Sequence, residues 1–456
     1  MIFLCLLTLS CCSCRQGAAP SASQRSAEDE SPLFAVSRSG RFGFIDRRGK
    51  LVIPLQFDGL ALPFIGGPAF SEGLAPVCLG KCDWVYPEGY VPKRVMGIVD
   101  DEHRRYEAKW GYINTRGQMI ISPRFTDAGR FVNGRAPVAT GERWLDSPDA
   151  LHGYIDSTAT LVIPEQFESA GEFDKESGLA VVCVGTGDQE RCGYIDTTGR
   201  FAVNPQFNAA RPASGCLVPV WFNRNESPSY VDRAGKVIWR GEYAENKELY
   251  ATPKTLRDAT RFPVFAHNKW GFIDCQGKLA IGLQFDSVEW FSEGLAPVCV
   301  GPCTFVRLGG GITMHQRYEG KWGSIDDKGQ MVINPRFSVE GKFVRGRASV
   351  STQERWLDQP PLLGYIDPRG SFVVSEQFDS AGDFDGSSGL AVVCLGGGNN
   401  ARCGYIDPTG EFVINPQFFR AFDFNRGLAV VNLAFGAEDS YVSGTGQLVW
   451  KGDDSR

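Results

Sequence analysis

Residues 109–118 read KWGYINTRGQ, and residues 321–330 read KWGSIDDKGQ. Looser copies of the pattern recur along the chain, among them GFIDRRGK at 43–50, GYIDTTGR at 193–200 and GYIDPTGE at 404–411. In each copy apolar residues flank a short turn, and the aspartate before the turn is placed to accept hydrogen bonds from backbone amides two residues later. Each copy therefore predicts a β-hairpin.

The chain repeats at two distances. Trp110 corresponds to Trp322, 212 residues later, and Tyr230 corresponds to Tyr441, 211 residues later, so the chain consists of two tandem halves. Within each half a period of about 40 residues is typical of solenoids, propellers and arrays. Five hairpins fall in each half, centred on Phe44, Tyr112, Tyr154, Tyr194 and Tyr230, then on Phe272, Ser324, Tyr365, Tyr405 and Tyr441.

Each unit contains three predicted strands in a meander: a segment such as LAPV or LAVV, then the two strands of the hairpin. A further segment carries two phenylalanines six residues apart, as at Phe125 and Phe131. It is either a fourth strand, which places both rings on one face, or a coil that anchors both rings in the core. In either case we expect these rings to pack between neighbouring units.

These patterns predict an all-β fold of tandem β-meander repeats with two five-unit halves, propeller-like or a β-solenoid. Two five-unit rings, one larger ring and an open solenoid are all consistent with the sequence. Closure removes exposed sheet edges, which favours the propeller-like arrangement. The first half is assigned to residues 32–241 and the second to residues 242–452.

The N-terminus is typical of an export signal. A short apolar run, IFLCLLTL, lies within the predicted signal segment at residues 1–14, and residues 15–31 form a polar, flexible linker. A cysteine that ends an apolar run resembles the lipid-attachment site of bacterial lipoproteins, with Cys12 the first candidate and Cys11 and Cys14 the alternatives. A cleaved signal peptide without lipid and a wrongly assigned start codon are the other interpretations. We expect an exported protein of the cell envelope, either lipid-anchored or secreted.

Cysteines come in pairs that recur in both halves. CLGKC in the first half returns as CVGPC in the second, and LAVVC followed by CGYID occurs in both. The latter two cysteines flank a hairpin loop and can face each other across adjacent strands, where Cβ atoms lie about 4.5–5.5 Å apart. In an exported chain such pairs predict disulfides. The candidates are Cys78 with Cys82, Cys183 with Cys192, Cys299 with Cys303, and Cys394 with Cys403.

Metal binding is the alternative interpretation of the Cys-x₃-Cys pairs. Zinc needs about four ligands, and each pair supplies two, with no paired histidine nearby in the sequence. We therefore predict neither a metal nor another cofactor. Cys216 and Cys275 have no counterparts in the other half and stay unassigned, with Cys275 in a hairpin turn.

The charge of the chain narrows the class of partner. Its 456 residues carry a formal net charge of −6, and no basic stripe is present to neutralise phosphates. We therefore expect no nucleic-acid partner, and membrane contact only through a lipid anchor. The oligomeric state does not follow from the sequence.

Two loop sequences occur in both halves although neither resembles a strand. HRRYEAKWG returns as HQRYEGKWG, and ERWLD occurs twice. An arginine beside an aromatic residue on a loop is typical of anchors in protein or glycan binding. Recent duplication, with the tryptophans packed and the arginines solvated, is the alternative. The candidates for binding are Arg105, Tyr106, Arg143 and Trp144 in the first half, and Arg317, Tyr318, Arg355 and Trp356 in the second.

Catalysis finds little support in the sequence. The repeated aspartates, such as Asp46 and Asp156, occupy hairpin turns, where capping of backbone amides explains them. No nucleophile elbow, phosphate loop or clustered His/Asp/Glu set is present. We expect a protein without enzymatic activity. A glycan-active hydrolase or lyase is the alternative, and it requires two carboxylates about 5–9.5 Å apart in one cleft.

Trp-Gly, an aromatic or small residue, Ile-Asp, a glycine turn, an apolar triplet, proline and an aromatic residue together resemble the WG-repeat (KWG) family of bacterial proteins. The resemblance extends from about Phe34 to Trp450, although His152, Cys192 and Cys403 replace the tryptophan in three copies. It implies a β-repeat interaction module without catalytic residues. The sequence thus predicts an exported, non-enzymatic scaffold that mediates protein or surface-polymer interaction at the cell envelope.

Overall fold

The computed structural model describes residues 32–61, 69–86, 94–95, 98–99, 104–143, 150–213, 215–223, 225–243, 259–307, 316–357, 359–397 and 400–453. Regular structure within these ranges is β, apart from 3-10 structure at Gly187–Gln189 and at Asn400. The predicted all-β repeat fold is therefore confirmed. The predicted signal segment, the linker and the lipidation candidates Cys11, Cys12 and Cys14 lie outside these ranges.

The repeating unit is an antiparallel sheet whose strands we call A, B, C and D in chain order. In units 1 and 6 the described residues form only B, C and D. Strand A is two residues long, at Gly59–Leu60, Asp127–Ala128, Ser169–Ala170, Ala209–Ala210, Ser287–Val288, Val339–Glu340, Ser380–Ala381 and Arg420–Ala421. Strand B is at Phe34–Arg38, Leu74–Val85, Ala136–Ala139, Leu179–Val184, Val218–Trp221, Phe262–Ala266, Leu295–Val300, Ala348–Ser351, Ala391–Leu395 and Leu428–Asn432.

The hairpins predicted from the sequence are the C–D pairs, and all ten are present. Strand C is at Arg41–Ile45, Arg105–Asn114, His152–Ile155, Arg191–Asp196, Ser229–Val231, Lys269–Ile273, Lys321–Asp326, Leu363–Ile366, Arg402–Ile406 and Ser440–Ser443. Strand D is at Leu51–Phe57, Met119–Phe125, Leu161–Phe167, Phe201–Phe207, Val237–Trp239, Leu279–Phe285, Met331–Phe337, Phe372–Phe378, Phe412–Phe418 and Leu448–Trp450. Among the residues that the structure describes, five short strands lie in connections between B and C, at Arg94–Val95, Ile98–Val99, Phe305–Arg307, Gln316–Tyr318 and Arg355–Trp356.

The turn between C and D explains the repeated Asp-x-x-Gly. In unit 1 the carboxylate of Asp46 accepts hydrogen bonds from the backbone amides of Arg48 and Lys50, at 2.8 and 2.9 Å. Gly49 has a φ of +79°, which glycine adopts without steric cost. The same capping recurs at Asp196. Asparagine caps the turn in the same way at Asn114, and Ala159 takes the glycine position of unit 3 with a φ of +66°. The turn therefore favours a capping aspartate and a glycine without requiring them.

The glycine of the Trp-Gly pair is required by a bulge in strand D. In unit 6, Trp270 pairs with Phe285 but Phe272 pairs with Ile281, so strand D carries extra residues between these pairs. The bulge brings backbone so close that a Cβ on Gly271 would lie 2.6 Å from the carbonyl oxygen of Ile281. Only glycine fits there without displacement of the backbone.

The two units that end the halves replace this glycine with serine. The hydroxyl oxygens of Ser229 and Ser440 accept hydrogen bonds from the backbone amides of Gly241 and Gly452, at 2.9 and 3.0 Å. In these two units the serine hydroxyl thus bonds the backbone that follows strand D.

The fourth strand exists, but it is shorter than the spacing of the two phenylalanines suggests. Phe125 ends strand D of unit 2, Asp127–Ala128 forms strand A of unit 3, and Phe131 follows it. Both rings are buried in one cluster with Trp110 of unit 2 and Val138 of unit 3. The predicted packing between neighbouring units is present, although the two rings do not share one strand.

Neighbouring units are joined by a repeated hydrogen bond. The hydroxyl of Tyr112 in strand C donates to the carbonyl of Gly129 in the next unit, at 2.8 Å. Tyr154 and Tyr194 make the same bond one and two units later, at 2.8 Å each. Where strand C carries a tyrosine at this position, its hydroxyl therefore ties the unit to its successor; units 1, 6 and 7 have Phe44, Phe272 and Ser324 there instead.

The last unit makes this contact with the first. Tyr441 donates to the carbonyl of Ala35 at 2.7 Å, and its ring packs on Phe34 at 5.9 Å between centroids. Ser39 donates to the carboxylate of Asp453 through its amide and its hydroxyl, at 3.0 and 2.8 Å. Units 1 and 10 are thus neighbours.

The junction of the two halves has the same contacts. Tyr230 of unit 5 donates to the carbonyl of Pro263 in unit 6 at 2.9 Å, as Tyr441 does to Ala35. The amide of His267 donates to the carboxylate of Glu242 at 3.1 Å, as that of Ser39 does to Asp453. Unit 10 therefore contacts unit 1 in the way that unit 5 contacts unit 6.

Strand polarity separates the connections into two sets. Because consecutive strands are antiparallel, the A–B and C–D turns lie at one end of each sheet and the B–C connections at the other. We call these the turn end and the loop end. The extra strands and the repeated loop sequences all belong to the loop end.

Candidate functional site

The two repeated loop sequences meet in space. In the second half the RYE segment lies in the B–C connection of unit 7 and the ERW segment in that of unit 8. They pair as strands, with Arg317 opposite Trp356 and Tyr318 opposite Arg355. Phe305–Arg307 pairs on the other side and completes a three-stranded sheet. We call this small sheet the second arm.

The first half forms an equivalent first arm at units 2 and 3. Strand B of unit 2 extends far enough for Trp84 to pair with Tyr106. The amide of Tyr106 donates to the carbonyl of Arg143 at 2.8 Å, which joins the two loops. Arg105, Tyr106 and Arg143 are thus brought together, whereas Trp144 lies outside the described residues.

Each arm is built on an arginine stacked against aromatic rings. The guanidinium of Arg355 lies 5.1 Å from the ring centroids of both Phe305 and Tyr318. In the first arm, Arg143 lies 5.3 Å from the centroid of Tyr106. These are cation–π distances, and they give the arms a fixed shape.

Ion pairs orient the remaining arginine of each arm. Arg317 lies 3.3 Å from Glu354, and its equivalent Arg105 lies 3.3 Å from Glu142. These pairs are exposed, so each contributes little to the free energy of folding. They leave donors and acceptors side by side on an accessible surface, as a polar partner requires.

The first arm also contains a partly buried carboxylate. Asp127 lies 3.1 Å from the Nε2 atom of His152 and 3.4 Å from Arg143. Burial works against its charged form, but the hydrogen bond from His152 and the charge of Arg143 hold the pKa of Asp127 below its usual value. Asp127 therefore stays ionised and fixes Arg143.

The binding candidates do not all have the same role. Tyr318 is buried, and its hydroxyl accepts a hydrogen bond from the indole of Trp322 at 3.1 Å. Tyr318 therefore attaches the second arm to the buried core. Half-burial raises the pKa of the equivalent Tyr106 hydroxyl. Arg317 and Trp356 are partly accessible, so they are the candidates for direct contact with a partner.

Two aromatic residues of the arms were not predicted from the sequence. Trp84 packs on Tyr106 at 5.3 Å between centroids, and Phe305 packs on Tyr318 at 5.5 Å. Both follow the Cys-x₃-Cys pair by two residues, in DWV and TFV. An aromatic residue at the same position after the cysteine pair in both halves is the signal that could have identified them.

Four disulfides lie at the loop end. The four predicted pairs are bonded, as Cys78–Cys82, Cys183–Cys192, Cys299–Cys303 and Cys394–Cys403. The two short bonds lie where strand B enters an arm, and the other two close the B–C connections of units 4 and 9. Five disulfides within the described part of the chain are typical of a protein from an oxidising, exported environment.

The fifth disulfide joins Cys216 to Cys275, the two cysteines that the sequence left unassigned. Cys216 precedes strand B of unit 5, and Cys275 lies in the C–D turn of unit 6. The bond therefore lies at the turn end and connects the two halves covalently. A pair without a counterpart in the other half was not visible in the repeat pattern.

The described residues offer neither a metal cluster nor a membrane-spanning helix. No group of three or more His, Cys, Asp or Glu side chains there is arranged to hold a metal ion. Nor does this part of the chain contain a helix of the length and hydropathy that crossing a bilayer requires.

Sequence comparison gives one family. The model of the "WG containing repeat" family matches eight segments, at residues 42–81, 110–144, 153–185, 193–215, 270–301, 322–356, 364–398 and 404–433. No curated protein matches the chain in sequence.

Solved structures show only weak likeness. A crystal structure described as the eukaryotic initiation factor is 10% identical, with 92% of this chain and 95% of that chain covered and a TM-score of 0.42. Dipeptidyl peptidase 4 of Porphyromonas gingivalis is 10% identical, with coverages of 72% and 60% and a TM-score of 0.36. Likeness at this level carries no information on function.

Proposed function

Because this chain belongs to the WG containing repeat family, we propose that it is an exported, non-enzymatic scaffold whose two arms bind a protein or surface polymer at the cell envelope. The observation that carries the proposal is the recurrence of one arm geometry in both halves. Each arm joins two units and presents stacked arginine, aromatic rings and paired charges at the loop end. Aromatic residues and arginine dominate binding energy in protein interfaces.

We further propose that the ten units form one closed, propeller-like ring. Supporting this, unit 10 contacts unit 1 with the same tyrosine–carbonyl bond that joins unit 5 to unit 6. The turn glycines repeat the pattern: Gly277 packs on Ile238 of the preceding unit, and Gly49 packs on Val449. Closure leaves no terminal unit with an uncovered face.

A ring of ten places the arms on opposite sides of one face, because units 2 and 3 are five units away from units 7 and 8. Two equivalent arms suit a partner that offers the same epitope twice, such as a dimer or a repeating polymer. Binding through both arms then raises the overall affinity well above that of either arm alone.

Variants in the two arms test the proposed function. Arg105→Ala and Arg317→Ala each remove one equivalent arginine, and we expect each to weaken binding to the host's envelope fraction about tenfold or more, since avidity is lost. The double variant should lose nearly all binding. The measurement is a binding isotherm of the full-length protein on that fraction, before and after protease treatment, which separates a protein partner from a polymer.

Arg116→Ala is the matched control, because Arg116 is an exposed arginine in a C–D turn at the other end of the sheets. It should bind like the unaltered protein, and all variants should melt at the same temperature. Equal binding by the double arm variant and the control would overturn the proposed role of the arms.

A further inference from the structure

The joint beneath the second arm differs chemically from the joint beneath the first. In unit 2, strand C carries Tyr112, which faces Ala128 in strand A of unit 3. At the equivalent positions of units 7 and 8 the chain has Ser324 and Glu340. In the first joint the large residue is on strand C and the small one on strand A, and in the second joint this order is reversed. The polar group of the large side chain is a phenol in the first joint and a carboxyl in the second.

Glu340 is buried with half of its hydrogen-bonding capacity unused. The hydroxyl of Ser324 donates to its Oε1 atom, whereas its Oε2 atom is buried without a partner. Only 8% of the residue is exposed. A buried carboxylate in this state costs far more free energy than the neutral acid.

The charges around Glu340 do not compensate for this burial. Burial raises its pKa to about 7, and the hydrogen bond from Ser324 and the charge of Arg336 lower it only in part. Arg336, at the end of strand D of unit 7, is engaged elsewhere: its guanidinium donates to the carbonyl of Gly370 and lies 4.9 Å from the ring centroid of Phe337. Glu340 therefore gains a proton near neutral pH.

The same two units carry the second arm. Ser324 belongs to strand C of unit 7, only six residues after Tyr318. Glu340 belongs to strand A of unit 8, and strand B of that unit connects it to the short strand that holds Arg355. The pairing of Tyr318 with Arg355 crosses the same joint. Any opening between units 7 and 8 therefore separates the two loops of the arm.

We propose that Glu340 makes the second arm proton-sensitive: the neutral acid holds units 7 and 8 together, and loss of its proton loosens the joint and the arm. The first arm, with Tyr112 and Ala128 in its joint, lacks this response. The functional meaning of the inference rests on the proposed binding role of the arms.

The direction follows from proton linkage. The closed joint binds the proton more tightly than the opened joint, where water restores the carboxyl's ordinary pKa. The opening constant therefore rises with pH between the ordinary pKa and about 7, and levels off above that value. From pH 6 to pH 8 we expect it to rise about tenfold.

Hydrogen exchange measured by mass spectrometry on the full-length protein at pH 6 and pH 8, corrected for intrinsic exchange rates, tests the inference. Peptides that cover 316–326 and 338–357 should lose about tenfold in protection at the higher pH. The equivalent peptide of the first arm that carries Tyr112, at 105–114, should keep its protection. Equal changes in both arms would overturn the inference.

Two variants identify the group responsible. Glu340→Gln keeps the size of the side chain without a titrating proton, and the double variant Ser324→Tyr/Glu340→Ala installs the residues of the first joint. Both should abolish the difference between pH 6 and pH 8, and a difference that persists in Glu340→Gln would refute the assignment. No ligand is needed, so this outcome is independent of whether the arms bind a partner.

Discussion

Replacing Gly271 with alanine should lower the free energy of unfolding by about 3 kcal/mol, the upper part of the range for overpacked sites. The added Cβ would lie 2.6 Å from the carbonyl oxygen of Ile281 and 2.8 Å from that of Gly282. Both neighbours are backbone atoms of the bulged strand D, so they cannot move aside as a flexible side chain can. Denaturant unfolding with the disulfides intact measures the change.

Gly282→Ala is the matched control in the facing strand. Gly282 has an ordinary φ, and a Cβ there would meet nothing within 4 Å. We expect a change in the free energy of unfolding within about 0.5 kcal/mol. If both substitutions destabilised the protein equally, the bulge would not be the reason for the Trp-Gly pattern.

The second large effect concerns the bond between the halves. Replacing Cys216 and Cys275 with alanine should lower the free energy of unfolding by about 4 kcal/mol, because their sequence separation of 59 residues means that the bond strongly restricts the unfolded chain. Denaturant unfolding under non-reducing conditions measures this loss.

Replacement of Cys78 and Cys82 provides the comparison. Their separation is only 4 residues, so the same reasoning predicts a loss of about 2 kcal/mol. A larger loss for the short pair than for Cys216 and Cys275 would contradict the assigned role of the inter-half bond.

Much of the fold follows from the sequence, since its pattern is local. Each hairpin is encoded locally by a polar capping residue, a turn residue with positive φ and the flanking apolar strands, so all ten could be predicted. The two-residue strand A could not, because it is set by pairing with strand B rather than by its own residues, as Ala209–Ala210 illustrates. Its partner decides its conformation.

The site was predictable only in part. The recurrence of RYE and ERW indicated the two loops, but their pairing depends on how consecutive units stack, and no local pattern encodes that contact. Pairs that are distant in sequence could not be predicted for the same reason, and the disulfide between Cys216 and Cys275 is an example. The exchange of Tyr112 and Ala128 for Ser324 and Glu340 was visible in the aligned halves, yet it gained meaning only once these positions proved to face each other.

Closure of the ring can be tested by introduced thiols. Ser39 and Asp453 are hydrogen-bonded through their side chains, at 2.8 Å, across the contact of units 1 and 10. The double variant Ser39→Cys/Asp453→Cys should form a disulfide between the two new thiols on mild oxidation. The double variant Glu242→Cys/His267→Cys is the positive control at the junction of units 5 and 6.

The decisive comparison is with Ser39→Cys/Glu242→Cys, which pairs unit 1 with unit 5. Peptide mass spectrometry under non-reducing conditions should find the new bond in Ser39→Cys/Asp453→Cys and not in this variant, as one ring of ten units requires. A bond in the Ser39→Cys/Glu242→Cys variant would indicate that each half closes on itself, and a bond in neither would indicate an open solenoid. Either of these two results would contradict the proposed ring and the opposed placement of its arms.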